Sequence, residues 1–403
     1  MDRIILHSDI NSCYASVERL YRPELGEKPF AVCGSKELRH GIVLAKSDNA
    51  KRAGVKTGMA IWQAKQLCPE LQIVEPHFDR YVKYADMVRE IYSEYTDMCE
   101  PFGMDESWLD ITNCLACPDP VKTANEIRVR VRRETGLTVS VGVSWNKVMA
   151  KLGSDYKKPN AVTVIDRAHF RDLVWPLPIL DMLMVGRSSK RELGRMGIRT
   201  IGELARAEPE LLQARFGKNG VTLWRYANGM DSSRVRRAGE EPTPQSIGNS
   251  TTLPNDIEDF EKARVALLML ADSVASRMRR QKLMCRTVEV AARGADLHWK
   301  SHRMRLRYAT DITGELAACA LELLRQCHEF PNSLHSIGLR ALELVRADAD
   351  EQIDIFIDYV NLNRQRSIDV TVDKIREKYG RDIICRASLL NEAAVWNGSS
   401  FPD

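Results

Sequence analysis

The stretch GMDESWLD at residues 103–110, read together with HSDINSCYASVE at 7–18, decides the fold. Each places acidic side chains at the end or turn of a short apolar strand. Asp105 and Glu106 are neighbours, so within a strand they would point to opposite faces. They serve one site only at a strand end or a tight turn, and Gly103 just upstream permits such a turn. Asp9 closes the apolar run Ile4-Ile5-Leu6. If the two strands are neighbours, three carboxylates converge, and such a cluster repels itself unless cations neutralise it. Hard oxygen ligands call for Mg²⁺, with Mn²⁺ as a substitute. Two such ions about 3.5–4 Å apart make a nucleotidyl-transfer centre. An Asp-Glu pair alone is more often a solvated turn. The combination is more specific: an acidic strand end, a Ser-Cys-Tyr-Ala run behind it and a second acidic strand.

A chain of 403 residues exceeds the usual single-domain size, so two to four domains are expected. The hydrophobic fraction of 44% and charged fraction of 28% describe a globular protein. No stretch approaches about 18 apolar residues, so no membrane span is expected. The longest apolar run, Val265–Ala271, reads as a core helix. Ten cysteines without secretory context point to free thiols and a cytoplasmic location. Cys114-Leu-Ala-Cys117 has no second pair at zinc-site spacing and reads as a plain loop. The net charge of +4 is unevenly spread. Between positions 277 and 307 stand Arg277, Arg279, Arg280, Lys282, Arg286, Arg293, Lys300, Arg303, Arg305 and Arg307, against only Glu289 and Asp296. A single-sign segment of this kind suits a polyanion partner, although a solvated face would look the same.

The first 165 residues alternate strands and helices. Residues 1–10 read as a strand, Asn11–Leu20 as a helix, Phe30–Cys33 and Gly41–Ala45 as strands, and Ile61–Leu67 as a helix. Tyr81–Cys99 has helical spacing, Trp108–Ile111 continues the acidic strand, Val121–Thr135 is a basic amphipathic helix and Thr138–Val143 a strand. Residues 167–236 are helical with Gly turns at Leu183–Arg187 and Met196–Gly202. Ala238–Ile247 is a Pro- and Glu-containing linker. Strand-like stretches at 248–253, 286–292, 302–309 and 336–345, with helices at 257–283 and 311–329, fit a small α+β domain. Residues 357–385 read as a helix, a turn and a second, basic helix at Val372–Tyr379.

HSDINSCYASVE, GMDESWLD and SVGVSWNKVMAKLGSDYKKPNAVTVI (140–165) together resemble the Y-family, or translesion, DNA polymerases, in particular their bacterial polymerase IV branch. Weaker similarity continues to about residue 346. The resemblance implies a multidomain α/β and α+β right hand: palm at 1–10 and 78–166, fingers at 11–77, thumb at 167–236, linker at 237–247, little finger at 248–346 and a tail at 347–403. It implies template-directed, error-prone DNA synthesis with two Mg²⁺ ions. Asp9, Asp105 and Glu106 would be catalytic and, with the backbone carbonyl of Ile10, hold the metals. Tyr14 falls at the family's steric gate, where an aromatic ring excludes a ribose 2′-hydroxyl. Ser12, Cys13, Lys51 and Lys158 would complete the nucleotide site. Arg187 and Lys190 of the thumb, with Arg277, Arg279, Arg280, Lys282, Arg303, Arg305 and Arg307, would bind primer–template DNA through its backbone.

Gln352, Ile355 and Phe356 resemble the peptide by which such proteins bind the bacterial sliding clamp; a Gln at the rim and two apolar anchors suit a pocket. Three positions depart from the family's pattern: Asn11 where many relatives carry Asp, Asp48 for Tyr, and Lys51 for Arg, with Arg52 or Lys46 as possible compensation. Lys147 is a DNA-contact or structural candidate. No GxxxxGK[ST] phosphate loop occurs, which excludes the common ATP-hydrolysing motors. No proofreading domain is expected, and a monomer is the default. A catalytically silent DNA-binding protein would not need this acidity. A palm-based nucleotide cyclase would not need the thumb, the basic domain or the clamp-like peptide.

Overall fold

The computed structural model describes residues 2–26, 28–35, 41–115, 117–240, 242–348, 358–380 and 383–389. Two compact units form, Met1–Cys33 with Val43–Glu241, and Gly34–Ile42 with Pro242–Asp403.

In the first unit the elements run β1 (Ile5–Ile10), α1 (Cys13–Tyr21), β2 (Phe30–Cys33), β3 (Val43–Lys46), α2 (Asp48–Arg52), α3 (Ile61–Leu67), β4 (Gln72–Val74), α4 (Phe78–Ser93), β5 (Cys99–Phe102), β6 (Glu106–Asp110), α5 (Pro120–Thr135), β7 (Val139–Ser144), α6 (Lys147–Tyr156) and β8 (Val162–Val164). The main sheet has the order β5-β6-β1-β7-β8, which puts β1 at its centre. All six β1 residues are buried, so the strand shows no polar alternation despite carrying His7 and Asp9. Antiparallel register sets Asp9 opposite Glu106 and Ser140, and His7 opposite Trp108 and Gly142. Residues paired this way share a face.

The opposite face carries Leu6, Leu109, Val141 and Val143 and packs against α1, α4 and α5 around Val17, Tyr81, Val88, Ile127 and Val131. The face with His7 and Asp9 receives α6. Its approach is set by two glycines: a Cβ on Gly142 would lie 1.9 Å from the Ala150 carbonyl oxygen, and one on Gly153 would lie 3.0 Å from Gly142 Cα. Helix α5 starts at Asp119, whose carboxylate accepts from Val121 and Lys122 N–H, and stops at Gly136 with φ 76. The small sheet β3-β2-β4 has its own core around Ala31, Val43, Val55 and Leu71.

The helical stretch comprises α7 (Phe170–Val174), α8 (Arg187–Arg195), α9 (Ile201–Arg206), α10 (Pro209–Phe216) and α11 (Lys218–Ala227). Helices α8 and α9 form a hairpin turned at Gly197 (φ 80), and Thr200 and Glu203 cap α9 reciprocally.

The second unit runs β9 (Ser246–Ile257), α12 (Phe260–Arg280), β10 (Leu283–Gly294), β11 (Trp299–Thr310), α13 (Thr313–Cys327), β12 (Leu334–Arg346) and α14 (Tyr359–Tyr379). Its sheet has the order β11-β10-β12-β9, and α12 and α13 cover one face through Leu267, Val274, Leu316, Leu323, Val288 and Leu339. This is the β-helix-β-β-helix-β order read from the sequence, with each strand longer at both ends.

Two expectations are corrected. The helix expected over Tyr81–Cys99 ends at Ser93, because Cys99 pairs with Leu109 as the start of β5; its apolar side chain joins the same core, which hides the break from a periodicity argument. Residues 359–379 form one continuous helix rather than two, held along its length by ion pairs to Asp311, Arg279 and Asp272. The short strands β4 and β8, each pairing in parallel, carry too few residues for a pattern. Among the described residues no helix is long and apolar enough to cross a membrane, and the ten cysteines are free thiols.

The Gly142 contact gives a direct test. Gly142→Ala should lower stability by about 1–3 kcal/mol, the usual cost of forcing a methyl group into a packed interior. Gly194→Ala, where a Cβ meets nothing within 4 Å, should be neutral or stabilising by up to about 1 kcal/mol. Thermal unfolding of the two variants decides it.

Candidate active site

The β5–β6 hairpin turns through Gly103 (φ 73), which releases Asp105 from strand geometry and lets β6 begin at Glu106. Arg89 of α4 donates to the Met104 carbonyl at 2.9 Å and so braces this turn. Ile10 N–H donates to the Asp105 carbonyl at 2.9 Å, which ties the turn to the end of β1. Asp9, Asp105 and Glu106 thus gather at one sheet end.

Lysines supply the counter-charge. Lys158 Nζ lies 2.7 Å from Asp9 Oδ2 and 2.8 Å from Asp155 Oδ1. Lys151 Nζ lies 2.8 Å from Glu106 Oε2, 3.4 Å from Asp9 Oδ2 and 3.0 Å from Asp155 Oδ2. His7 is fully buried between β1 and α6. His7 Nδ1 lies 2.8 Å from Ser154 Oγ, which is itself 2.8 Å from the Lys151 carbonyl oxygen, and Nε2 lies 3.2 Å from Glu106 Oε2.

These contacts split the carboxyls. Burial pushes Asp9 up to about 6 against the pull of Lys158 and Lys151, with Glu106 adding to the rise. Burial, then the Glu106 charge, raises Asp105. Burial would raise Glu106 too, but His7 and Lys151 outweigh it and hold it at about 2. His7 is lowered, chiefly by burial. Glu106 is therefore the firmly ionised member. As they stand, no three acidic, histidine or cysteine side chains among the described residues converge as a metal site. The donor chemistry nonetheless fits hard divalent cations: the three residues that stand at this strand end, Asp9, Asp105 and Glu106, all carry carboxylate oxygens.

Tyr14 follows on the first turn of α1. Its ring stacks on Tyr81 at 4.3 Å with a 10° tilt and meets Phe78 edge-on at 5.8 Å. The Tyr81 hydroxyl donates to the fully buried Glu18 at 2.7 Å and accepts from His77 N–H at 3.0 Å. Ser12, just before α1, is exposed and left-handed (φ 47), whereas Cys13 is buried. Asn11 does not face the carboxylates; it accepts from Asn160 N–H (2.8 Å) and Thr138 Oγ1 (3.1 Å) and donates to Ser140 (2.9 Å), which fixes the loop after Lys158.

The altered cradle looks different from each side. Lys51 is exposed on α2 and acts, after burial, to lower the Lys46 ammonium. Lys46 is bonded to Thr57, and Arg52 to Asn49. Asp48 lines a cavity of about 260 Å³ together with Asn11, Ser12, Ser16, Arg19 and Arg132. Lys147 is structural: it lies 2.8 Å from buried Glu100 and 4.3 Å over the Trp108 ring. Cys114 and Cys117 have sulfurs 2.7 Å apart in the loop after β6.

Arg187 and Lys190 are exposed on α8. In the second unit Arg303, Arg305 and Arg307 alternate outward along β11 while Met304 and Leu306 pack inward. Arg277 donates to the Gly248 carbonyl and, with Ser250, Trp299 and Arg340, lines a groove of about 600 Å³. Arg280 and Lys282 are exposed where α12 ends. Arg279 is not available as a DNA contact. Its side chain is 5% exposed, held by Asp373 at 2.6 Å, Asp369 at 3.4 Å and the Asp311 carbonyl at 2.6 Å. The expected clamp residues Gln352, Ile355 and Phe356 lie outside the described residues. Sequence reasoning missed Lys151, His7, Arg89 and Tyr81. Only Lys151 had a signal, four residues after Lys147 on one helix.

Family models match three segments: the impB/mucB/samB family at 8–155, the thumb domain of DNA polymerase-iota at 184–231, and the impB/mucB/samB C-terminal domain at 244–355. The chain is 44% identical to a DNA polymerase IV of Acetivibrio thermocellus, over 98% of this chain and 99% of the relative. It is 37% identical to DNA polymerase IV 1 of Bacillus subtilis, over 99% and 96%. A solved Y-family DNA polymerase chimera shares the fold with TM-score 0.74 at 23% identity, over 85% of this chain and 99% of that one.

The two fates of the basic run separate on stability. Arg279→Ala, which takes the arginine from Asp373 and leaves Asp369 with Arg386 and the Thr313 N–H, should destabilise the second unit by about 1–3 kcal/mol. Arg303→Ala should stay within about 0.5 kcal/mol of wild type. Denaturant unfolding reads both.

Proposed function

This chain belongs to the impB/mucB/samB family, the Y-family DNA polymerases, and we infer that it is a template-directed, error-prone DNA polymerase of the polymerase IV type, working in translesion synthesis. The observation that carries the reading of its chemistry is the gathering of Asp9, Asp105 and Glu106 at one sheet end with Lys158 beside them.

On this reading the five-stranded sheet and its helices are the palm, residues 11–77 the fingers, the α8–α9 region the thumb and the four-stranded unit the little finger. A primer 3′-oxygen attacks the α-phosphorus of a deoxynucleoside triphosphate; the new P–O bond forms as the bond to pyrophosphate breaks. Mg²⁺, or Mn²⁺ in its place, would be held by Asp9, Asp105, Glu106 and the Ile10 carbonyl, and when bound would activate the hydroxyl and neutralise the leaving group. Glu106, kept ionised by Lys151 and His7, is available as a permanently anionic oxygen ligand. Lys158 supplies a cation for the triphosphate, and the backbone N–H groups at Ser12 and Cys13 seat its phosphates. Lys51 and the cavity arginines lie on the side of Asp48, where the family's Tyr is missing.

Tyr14, backed by Tyr81, presents a ring wall to the sugar and excludes a 2′-hydroxyl. Arg187 and Lys190 on one unit, and Arg277, Arg280, Lys282, Arg303, Arg305 and Arg307 on the other, bind the DNA backbone. Gln352, Ile355 and Phe356 would dock on a sliding clamp. The enzyme acts as a cytoplasmic monomer without proofreading.

Primer extension with a labelled primer–template, four deoxynucleotides and Mg²⁺ tests the centre. Wild type should extend and Asp105→Ala should fall by roughly 10²-fold or more, the scale on which lost transition-state charge stabilisation is felt. Equal extension by both would remove Asp105 from the chemistry. Failure of both, with DNA still bound, would favour a silent DNA-binding protein. Tyr14→Ala should raise ribonucleotide use relative to deoxynucleotides by roughly 10²-fold, read as the ratio of kcat/KM values; an unchanged ratio would sink the gate.

A further inference from the structure

The ammonium groups at the carboxylate centre differ in how firmly they are held. Lys151 sits within α6, which Gly142 and Gly153 lock against the sheet. Its side chain is 13% exposed and within 3.4 Å of Asp9, Glu106 and Asp155. Lys158 lies beyond the end of α6. Its side chain is 28% exposed and touches only Asp9, at 2.7 Å, and Asp155, at 2.8 Å. Asp155 itself is 42% exposed, so that contact is weakened by solvent. The contact with Asp9, which is 8% exposed, is the strong one.

An ammonium bonded to Asp9 Oδ2 and a divalent cation on the same oxygen repel each other strongly at such distances. One must leave for the other to bind. A triphosphate offers Lys158 more negative charge than Asp9 does, and it reaches the half-exposed lysine from solvent. We propose that Lys158 is an electrostatic latch: without nucleotide it holds Asp9 and keeps divalent cations off the carboxylate centre, and an arriving triphosphate draws the ammonium away and opens Asp9 to them. The inference rests on the reading of Asp9 as a metal ligand and Lys158 as a triphosphate contact. Lys151 stays in place as the permanent counter-charge of Glu106. Asp155 is the competing arm that keeps the latch from closing too tightly. Two ammoniums thereby offset part of the carboxylate charge while the centre is idle, and metal enters only when a substrate is present.

Nucleotide-free Mn²⁺ binding to the full chain, followed by electron paramagnetic resonance of the free ion, tests this without turnover. Lys158→Met should bind Mn²⁺ at least about 5-fold more tightly than wild type, the lower end of usual coupling factors. Asp155→Asn should bind it more weakly, because both lysines then settle on Asp9 and Glu106. Opposite signs from two neutralising changes in one cluster are not what a damaged fold produces. Lys157→Met, removing an exposed lysine with no ion pair among the described residues, should change the affinity less than about twofold, since solvent screens it. Unchanged or weaker binding in Lys158→Met overturns the latch, as does an equal gain in Lys157→Met. Adding Asp9→Asn to Lys158→Met should erase the gain; a gain that persists would show Mn²⁺ bound elsewhere and overturn the reading of Asp9 itself.

Discussion

Three carboxylates forced to one end of a buried sheet repel one another, and the rest of this molecule is arranged around relieving that repulsion. Relief comes from helix α6 and the turn after it, which carry Lys151 and Lys158. They reach the carboxylates only because α6 lies almost on the backbone of β7, where Gly142 and Gly153 leave no room for a side chain. A methyl group there would lift the helix and both charges with it. Packing density and electrostatics are thus a single constraint in this palm. His7 belongs to it as well. It fills the space between strand and helix, bonded to Ser154 through Nδ1 and 3.2 Å from Glu106 Oε2 through Nε2. With Lys151 it holds Glu106 in its charged form.

A second buried acid orders the aromatic rings around Tyr14. Glu18 is fully buried on α1, four residues past Tyr14, and is matched by His77, Arg80 and the Tyr81 hydroxyl. Burying a carboxylate is costly, and paired partners seldom make it a net gain in stability. What the arrangement secures is the orientation of the Tyr81 ring, on which Tyr14 lies flat. A gate that works by exclusion needs a wall that does not yield. Tyr14 alone, on the first turn of a helix, has one face unsupported. The stack supplies that support, and Glu18 fixes the stack.

Much of the palm was legible because its chemistry demands residues that a sheet interior otherwise avoids. An acid ending an apolar strand, and an Asp-Glu pair after a glycine, have few structural explanations. Both lie at one end of the sheet, Asp9 paired with Glu106 and Ile10 N–H bonded to the Asp105 carbonyl. The little-finger topology was legible because its strands are long and its helices amphipathic. What stayed hidden depended on contacts across the chain. Nothing local distinguishes Lys151 from Lys147, yet one faces Glu106 and the other Glu100. Asn11 read only as a departure from the family's Asp, because only the fold reveals that its amide bridges β1, β7 and the loop after Lys158. The end of α4 was invisible because Cys99 enters the same core from a strand. The continuity of α14 follows from ion pairs to distant residues, not from its own pattern.

The basic run shows how composition overstates a binding surface. Counted along the sequence, ten cations between 277 and 307 look equivalent. In the fold they divide by secondary structure. On β11 the period of two sends Arg303, Arg305 and Arg307 to the open face of the sheet, while the residues between them enter the core. On α12 the helical period turns Arg279 inward, where α14 meets it with Asp369 and Asp373. Asp369 also accepts from Thr313 N–H at the start of α13, so one arginine holds a node joining three helices. A charge used this way contributes to the rigidity of the domain and is withheld from any phosphate. The sheet keeps a row of arginines on its open face while a neighbouring arginine is diverted to hold the helices behind it.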